Sequence, residues 1–201
     1  MPFVIDDIYL PATITASPMT DGEFATFCAE HPDLFFEMTA EGEIIVMPPT
    51  YTTGGASCSR IGARLAVWAE QDGRGISCGS SAGYVLPNGA RRSPDASWTL
   101  KSRVQALDRQ SRDGFWHLCP DFVIELQSAS DRPRLLREKM EEYMANGAQL
   151  GWLINPKKRS VAIYRPDRAV ETLEGIDKVA GEGPVAGFVL DLRFIWNPLE
   201  G

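Results

Sequence analysis

A strand, a helix and a second strand follow one another in the middle of the chain, and this order constrains the fold most. The run Phe122–Leu126 is apolar and rich in β-branched residues, as in a central strand, and turn-forming residues bound it on both sides. Residues 135–146 are predicted to be helical, because apolar side chains recur at i, i+4 and i+7 and Gly147 stands where a C-cap is expected. The run 150–154 then returns to the strand pattern. Such a unit indicates a mixed β-sheet with helices on its faces.

The rest of the chain adds shorter elements of both kinds. A short amphipathic helix is predicted within residues 17–30, and a long helix at 57–71 that a glycine turn closes. Residues 101–118 are polar and indicate a surface loop with a short helix. Strand patterns occur at 34–39 and 43–47, which form a hairpin, and at 75–78, 82–86, 92–100, 160–166 and, as an edge strand, 169–174. No repeat or linker divides the chain, so we predict one α/β domain over residues 1–201.

The composition and charge limit what the protein can do. Hydrophobic residues make up 44% of the 201 residues and charged residues 23%, as in soluble globular proteins. The amino-terminal residues 1–11 lack the features of a secretion signal, and no apolar run is long enough to span a membrane, so we expect a cytoplasmic protein without membrane contact. The net charge of −7 argues against nonspecific coating of nucleic acid, but it permits a nuclease whose carboxylates bind a cation.

Cysteines and histidines offer little for catalysis. The four cysteines are widely separated and form no C-x-x-C pair, so we predict reduced core thiols and no structural zinc site. With only two histidines, a scheme based on a histidine base or a histidine metal cluster is disfavoured. Any chemistry therefore depends on carboxylates.

Two acidic strand residues, Asp95 and Glu125, are the most informative candidates. Glu125 interrupts the apolar run F-V-I-E-L, where an ionised carboxylate is costly unless it is paired, hydrogen-bonded or bound to a cation. Strand alternation places Glu125 and Gln127 on one face, and Asp95 on another strand could lie beside them. Hard oxygen ligands of this kind suit Mg²⁺ or Mn²⁺, which can promote hydrolysis of a phosphodiester. The alternative is that Glu125 is a partly exposed or salt-bridged strand residue.

Lys139 lies on the helix that follows this strand. Its position between Leu136, Met140 and Tyr143 would let it reach back toward the strand ends, where a positive charge near a nucleophilic water is useful. On helix geometry alone, however, an ordinary solvated lysine is the favoured interpretation.

Several separated segments agree in order and spacing with a known family. The chain resembles the Uma family of restriction-endonuclease-like proteins, within the PD-(D/E)XK nuclease superfamily, from about residue 18 to residue 196. The resemblance implies a restriction-endonuclease-like mixed β-sheet flanked by helices, and a Mg²⁺-dependent or Mn²⁺-dependent endonuclease that hydrolyses DNA. It rests on the segments GEIIVMPP, RRSPDASW, CPDFVIELQSASD, LREKMEEYMANGAQLGWLINPKKRSVAIYRP and GFVLDL.

The same resemblance implies roles for individual residues. Asp95 matches the first metal-binding aspartate and Glu125 the second acidic residue, while Gln127 stands at the usual lysine position. Lys139 matches a lysine that the family often carries on the following helix, and Glu37 resembles an early glutamate that would be a further metal or water ligand. A histidine that many relatives carry before the first long helix is absent from the segment PPTYTTGGAS.

Alternatives to an active nuclease stay open at this point. The missing strand lysine, the negative net charge and the lack of a basic run fit a catalytically silent nuclease fold that serves as a binding or regulatory protein. A hydrolase of esters or carbohydrates that uses two carboxylates is disfavoured, because the sequence does not place the groove lined by aromatic residues that glycosidase carboxylates need. The tryptophans are predicted to serve the core or an interface. Because compact nucleases of this fold often act as dimers, we expect a homodimer.

Overall fold

The computed structural model describes residues 12–15, 19–47 and 50–199. Its strands are β1 (Ala12–Thr15), β2 (Phe35–Met38), β3 (Glu43–Met47), β4 (Gly75–Gly79), β5 (Tyr84–Val85), β6 (Arg91–Arg92), β7 (Ala96–Leu100), β8 (Phe122–Leu126), β9 (Leu150–Asn155), β10 (Ser160–Tyr164), β11 (Glu171–Glu174), β12 (Lys178–Ala180) and β13 (Val189–Asp191). Its helices are α1 (Asp21–Glu30), α2 (Thr52–Asp72), α3 (Lys101–Gln105), α4 (Arg109–Asp113), α5 (Pro133–Ala145) and α6 (Arg193–Trp196). The sequence interpretation of residues 1–11 lies outside the described residues.

The larger sheet has the strand order β11-β10-β9-β8-β7-β4, with β8 inside it. Strand β8 runs antiparallel to β7 and parallel to β9, and α5 connects the two parallel strands. This confirms the predicted mixed sheet and the strand, helix and strand order. Phe122, Ile124 and Leu126 pack into one core, whereas Val123 packs into the other, against Met140 and Tyr143 of α5. The alternation therefore directs Glu125 toward the face that α5 covers.

The smaller sheet has the order β1-β3-β2-β6-β5 and carries α1 beside it. Thr20 and Glu23 form a capping box at the start of α1, which fixes where the helix begins. The predicted hairpin is confirmed, because β2 pairs antiparallel with β3 and Gly42 takes a positive φ of 89° in the connection. Alternate hairpin side chains and one residue of α1 form a separate core: Phe24, Phe36, Met38, Ile44 and Val46.

One predicted strand is wrong, and the error matters for the site. Residues 92–100 were expected to form a single strand, but the chain forms β6 in the smaller sheet and β7 in the larger sheet. The break falls at Pro94, which has no N–H for a ladder hydrogen bond. The N–H of Ser93 donates to the side chain of Glu37 on β2 instead of to a backbone carbonyl of that strand. The chain thus crosses between the two sheets immediately before Asp95.

The helices agree with the predicted ones within a few residues. Helix α2 begins at Thr52, five residues before the predicted start, and ends at Asp72, where Gly73 forms the C-cap with a φ of 73°. The segment 101–118 contains two short helices, α3 and α4, rather than one. Among the tryptophans, Trp98 and Trp152 are fully buried in the core, as predicted, and Trp116 and Trp196 are partly buried against it. All four cysteines are free thiols.

Among the described residues, no helix combines the length and the apolar character that crossing a lipid bilayer requires. The expected homodimer and the cytoplasmic location stay predictions.

Candidate active site

The pairing of β7 with β8 brings Asp95 and Glu125 together. Ala96 pairs with Ile124 in this antiparallel ladder, so the preceding Asp95 lies opposite Glu125. The Oδ2 of Asp95 accepts a hydrogen bond of 2.7 Å from the backbone N–H of Leu126. Glu125 is only 5% exposed and Asp95 is partly buried. The convergence that strand alternation predicted is therefore present.

Lys139 is the cation of the site. Its Nζ lies 2.7 Å from Oε1 of Glu125 and 2.8 Å from Oε1 of Glu37, and its side chain is only 12% exposed. The interpretation as a solvated helix lysine is wrong, and the predicted reach toward the strand ends is correct. Helix α5 packs through the buried residues Met140 and Tyr143, which turns the preceding lysine inward over the sheet.

Glu37 reaches the site from the smaller sheet. It is 2% exposed, and both of its carboxylate oxygens already have donors. Oε2 accepts from Arg92 at 3.2 Å, and Oε1 accepts from the N–H of Ser93 at 2.8 Å as well as from Lys139. A carboxylate that is held in this way gives Lys139 a second fixed contact besides Glu125.

Sequence reasoning missed three residues that complete the site. Arg92 links Glu37 to Glu142 of α5, and the Tyr143 hydroxyl donates to Oε1 of Glu125 at 3.1 Å. The thiol of Cys58 on α2 lies close enough to Asp95 to lower the pKa of that carboxyl. A buried tyrosine usually has a hydrogen-bond partner for its hydroxyl, so a polar contact of Tyr143 could have been predicted from the sequence. The contacts of Arg92 and Cys58 could not, because they depend on the packing of α2 and of the smaller sheet.

Gln127, at the end of β8, occupies a different part of the site. Its side-chain oxygen accepts from the amide nitrogen of Asn155 at 2.8 Å, and its backbone N–H donates to Ile154. Within the described part of the chain, no hydrogen bond joins Gln127 to Asp95, Glu125 or Lys139. The amide is therefore held at the strand end, next to the carboxylates rather than among them.

Burial and mutual repulsion set the charge state of the carboxylates. Burial raises the pKa of Glu125 to about 8; Lys139 opposes the rise, and Asp95 and Glu37 add to it. Burial also raises the pKa of Asp95. Burial favours a higher pKa for Glu37 too, but Lys139 and Arg92 bring its pKa below the ordinary value. Burial lowers the pKa of Lys139, yet its two carboxylate partners raise it above the usual range, so the lysine stays cationic. Three carboxylates thus face two cations.

Comparisons with known proteins decide the family. The model of the Uma2 family, described as "Putative restriction endonuclease", matches residues 21–193. The chain belongs to the Uma2 family. A solved structure from Anabaena variabilis, titled a "putative nuclease belonging to DUF820", is similar with a TM-score of 0.71 and 19% sequence identity, over 89% of this chain and 98% of that chain. At this identity the likeness concerns the fold, which is the restriction-endonuclease-like fold expected from the sequence. No curated protein matches the sequence.

In this Uma2 member the carboxylates line a cleft of about 1550 Å³ between α2, α5 and the smaller sheet. Asp95, Glu125, Gln127, Lys139 and Glu37 all line it, so the five residues singled out from the sequence share one cavity. Within the described residues, no group of three or more His, Cys, Asp or Glu side chains has the arrangement of a metal cluster.

Proposed function

We propose that the protein is a metal-dependent endonuclease that hydrolyses DNA phosphodiester bonds at Asp95, Glu125 and Lys139. The observation that carries the proposal is the buried ammonium of Lys139, 2.7 Å from Glu125 and at the end of the strand pair that brings in Asp95. A buried cation beside two acidic strand residues, in an open cleft, suits a substrate that develops negative charge. The description of the family as a restriction endonuclease supports the same class of reaction.

The donor set fits a Mg²⁺ or Mn²⁺ ion held by Asp95 and Glu125. Mg²⁺ usually takes only one or two protein carboxylates and keeps several waters, so a third acidic ligand is not required. In the described part of the chain, Oε2 of Glu125 and Oδ1 of Asp95 accept no hydrogen bond from a backbone or nitrogen donor. Burial raises the pKa of both groups, because it disfavours their charged forms, and a bound cation would offset that cost. When bound, such an ion would lower the pKa of a coordinated water and offset the charge of the phosphate.

The protein's own groups have separate tasks in this proposal. Lys139 has three N–H donors, of which Glu125 and Glu37 take two, so one remains for a water or a phosphate oxygen. Glu37 positions that ammonium, because both its oxygens are already occupied; this favours a supporting role over the direct ligation that the family resemblance implied. Gln127 gives its oxygen to Asn155 and keeps its amide N–H groups for orienting a water or a phosphate oxygen.

Cleavage of labelled DNA with Mg²⁺ or Mn²⁺ tests this function. We expect Asp95→Asn, Glu125→Gln and Lys139→Met each to lower the rate by about 100-fold or more, as expected for groups that stabilise a transition state. Glu138→Gln is the matched control, since this carboxylate also lines the cleft but pairs with Arg134 on the surface of α5. Equal cleavage by the four variants and the unchanged protein would refute the assignment.

A catalytically silent nuclease fold is the second candidate, and one observation favours it. Lys139 and Tyr143 both hold Oε1 of Glu125, so this oxygen is already satisfied without a metal. Calorimetric titration with Mn²⁺ distinguishes the two functions without an activity assay. Binding that disappears in Asp95→Asn supports the nuclease, whereas the absence of measurable Mn²⁺ binding supports the silent form.

A further inference from the structure

One wall of the cleft carries exposed aromatic and apolar side chains. Phe35 is 52% exposed and lies on the same face of β2 as Glu37, two residues away. Its partner on β3 is Met47, and Ile45 pairs with Glu37; both of these side chains also line the cleft. A large aromatic side chain half open to solvent beside buried carboxylates contributes little to the core. It is available to a ligand.

Tyr51 extends this wall at the start of α2. It is 76% exposed, lines the same cleft and forms no side-chain capping bond with the helix. Leu135 of α5, 42% exposed, also lines the cleft. Three of the large apolar side chains that are exposed in the described residues thus surround one cavity.

The other wall carries cations. Because β8 and β9 are parallel, the loops that follow them lie at the same end of the sheet, and the hydrogen bond between Gln127 and Asn155 ties them together. These loops bring Arg132 and Lys157 to the cleft. Both side chains are exposed, and neither has a carboxylate within ion-pair distance in the part of the chain that the structure describes. Unpaired cations at a cleft rim are suited to phosphates.

Carboxylates line both sides of the cleft, with Glu43 on the hairpin and Asp131 and Glu138 near Arg132. The other lining cations are paired with carboxylates, so Arg132 and Lys157 decide where phosphates bind. A sugar-phosphate backbone therefore fits along the side of Arg132 and Lys157, and its bases would face Phe35 and Tyr51. The volume of about 1550 Å³ exceeds the roughly 300–1,000 Å³ of small-molecule pockets, so several nucleotides can enter.

We propose that the cleft binds an unpaired, single-stranded segment of DNA, with phosphates on Arg132 and Lys157 and bases stacked on Phe35 and Tyr51. This rests on the proposed nuclease function and specifies its substrate class. In a duplex the faces of the bases are covered by their neighbours, so exposed aromatic rings gain stacking contacts only from unpaired bases. A cationic track opposite aromatic side chains is the common arrangement of proteins that bind single strands.

Fluorescence anisotropy with a labelled single strand and the matching duplex, in the presence of EDTA, tests the proposal apart from cleavage. We expect the single strand to bind more tightly, and Phe35→Ser or Tyr51→Ser to weaken that binding by roughly 5- to 100-fold while duplex binding changes little. Arg132→Gln and Lys157→Gln should each reduce the slope of log K against log salt concentration by about 0.7. Val67→Ser is the control, because Val67 is an exposed apolar residue, at 57%, outside this cleft.

The outcomes separate this proposal from the proposed function. Equal affinity for duplex and single strand, with no effect of the aromatic variants, would overturn the single-strand proposal even if the protein cleaves DNA. Single-strand binding that depends on Phe35 and Tyr51, without any cleavage, would instead refute the proposed nuclease function and support the single-strand binding site. Tighter binding of a single-stranded RNA of the same sequence would overturn the assignment to DNA.

Discussion

Replacement of Lys139 by methionine tests whether the ammonium holds the site together. Methionine keeps the length and the apolar stem, but it removes two charge-assisted contacts of 2.7 and 2.8 Å. Each such contact contributes about 1.5–3 kcal/mol to stability, and removing one partner of a buried ion pair costs about 3–5 kcal/mol. The site is buried, so solvent screening reduces these values little. For a domain of this size the loss corresponds to a fall in Tm of roughly 6–20 °C.

The pH dependence of this loss follows from Glu125. Since the pKa of Glu125 is about 8 even beside Lys139, this carboxyl is already largely protonated near neutral pH, and the variant avoids part of the penalty there. We therefore expect Lys139→Met to lower the free energy of unfolding by about 3 kcal/mol at pH 7 and by more near pH 9, as measured by urea unfolding of the purified variant. Adding Glu125→Gln to Lys139→Met should recover much of the stability, because the unpaired carboxylate is gone.

A surface pair on the same helix provides the control. Arg134 and Glu138 form an exposed i, i+4 ion pair at 3.4 Å, for which Arg134→Met should cost at most about 0.5 kcal/mol. If Lys139→Met is no more destabilising than Arg134→Met at either pH, then Lys139 does not hold the carboxylates, and the argument from its contacts fails.

Two further predictions concern stability and can be measured by the same unfolding assay. Because the pKa of Glu125 is raised, the folded state binds more protons than the unfolded state between about pH 4.5 and pH 8. The contribution of Glu125 to stability is therefore present below this window and declines as pH rises through it. Glu125→Gln should remove that decline, and an unchanged pH profile of stability would contradict the prediction. Gly75→Ala should destabilise the protein by about 1–3 kcal/mol, because a Cβ there would lie 2.0 Å from the buried ring of Trp98. Gly62→Ala in α2 should instead stabilise it by about 0.5–1 kcal/mol, because its Cβ would meet nothing within 4 Å. Equal effects of the two variants would contradict the packing argument.

The larger sheet and the acidic pair could be predicted from sequence because both depend on local patterns. Alternation in Phe122–Leu126 assigned Glu125 to the face opposite Ile124, and the helix and strand that follow required a parallel neighbour. The smaller sheet could be predicted only in part, since its hairpin has a local signal and its strand β6 has none. Two residues, Arg91 and Arg92, form this strand, and their pairing depends on distant parts of the chain. Pattern reasoning therefore merged β6 with β7.

That merged strand explains why the support of Lys139 was not foreseen. Had residues 92–100 been one strand, Arg92 would lie in the larger sheet, and nothing would link Asp95 to the hairpin that carries Glu37. The crossing at Ser93 and Pro94 instead places a backbone N–H and a guanidinium on Glu37, directly before the chain delivers Asp95 to the site. The N-terminal hairpin is thus part of the site rather than an appendage of the fold.

The position of the ammonium in space matters more than its position in the sequence. Gln127 stands where the superfamily resemblance implies a lysine, but its side chain is bound to Asn155 at the strand end. Lys139 on α5 reaches Glu125 because Met140 and Tyr143 fix the rotation of that helix over the sheet. A single contact with Glu125 would not fix the position of the ammonium. Glu37, held by Arg92 and Ser93, provides the second contact, so the position of a lysine on the helix depends on the smaller sheet.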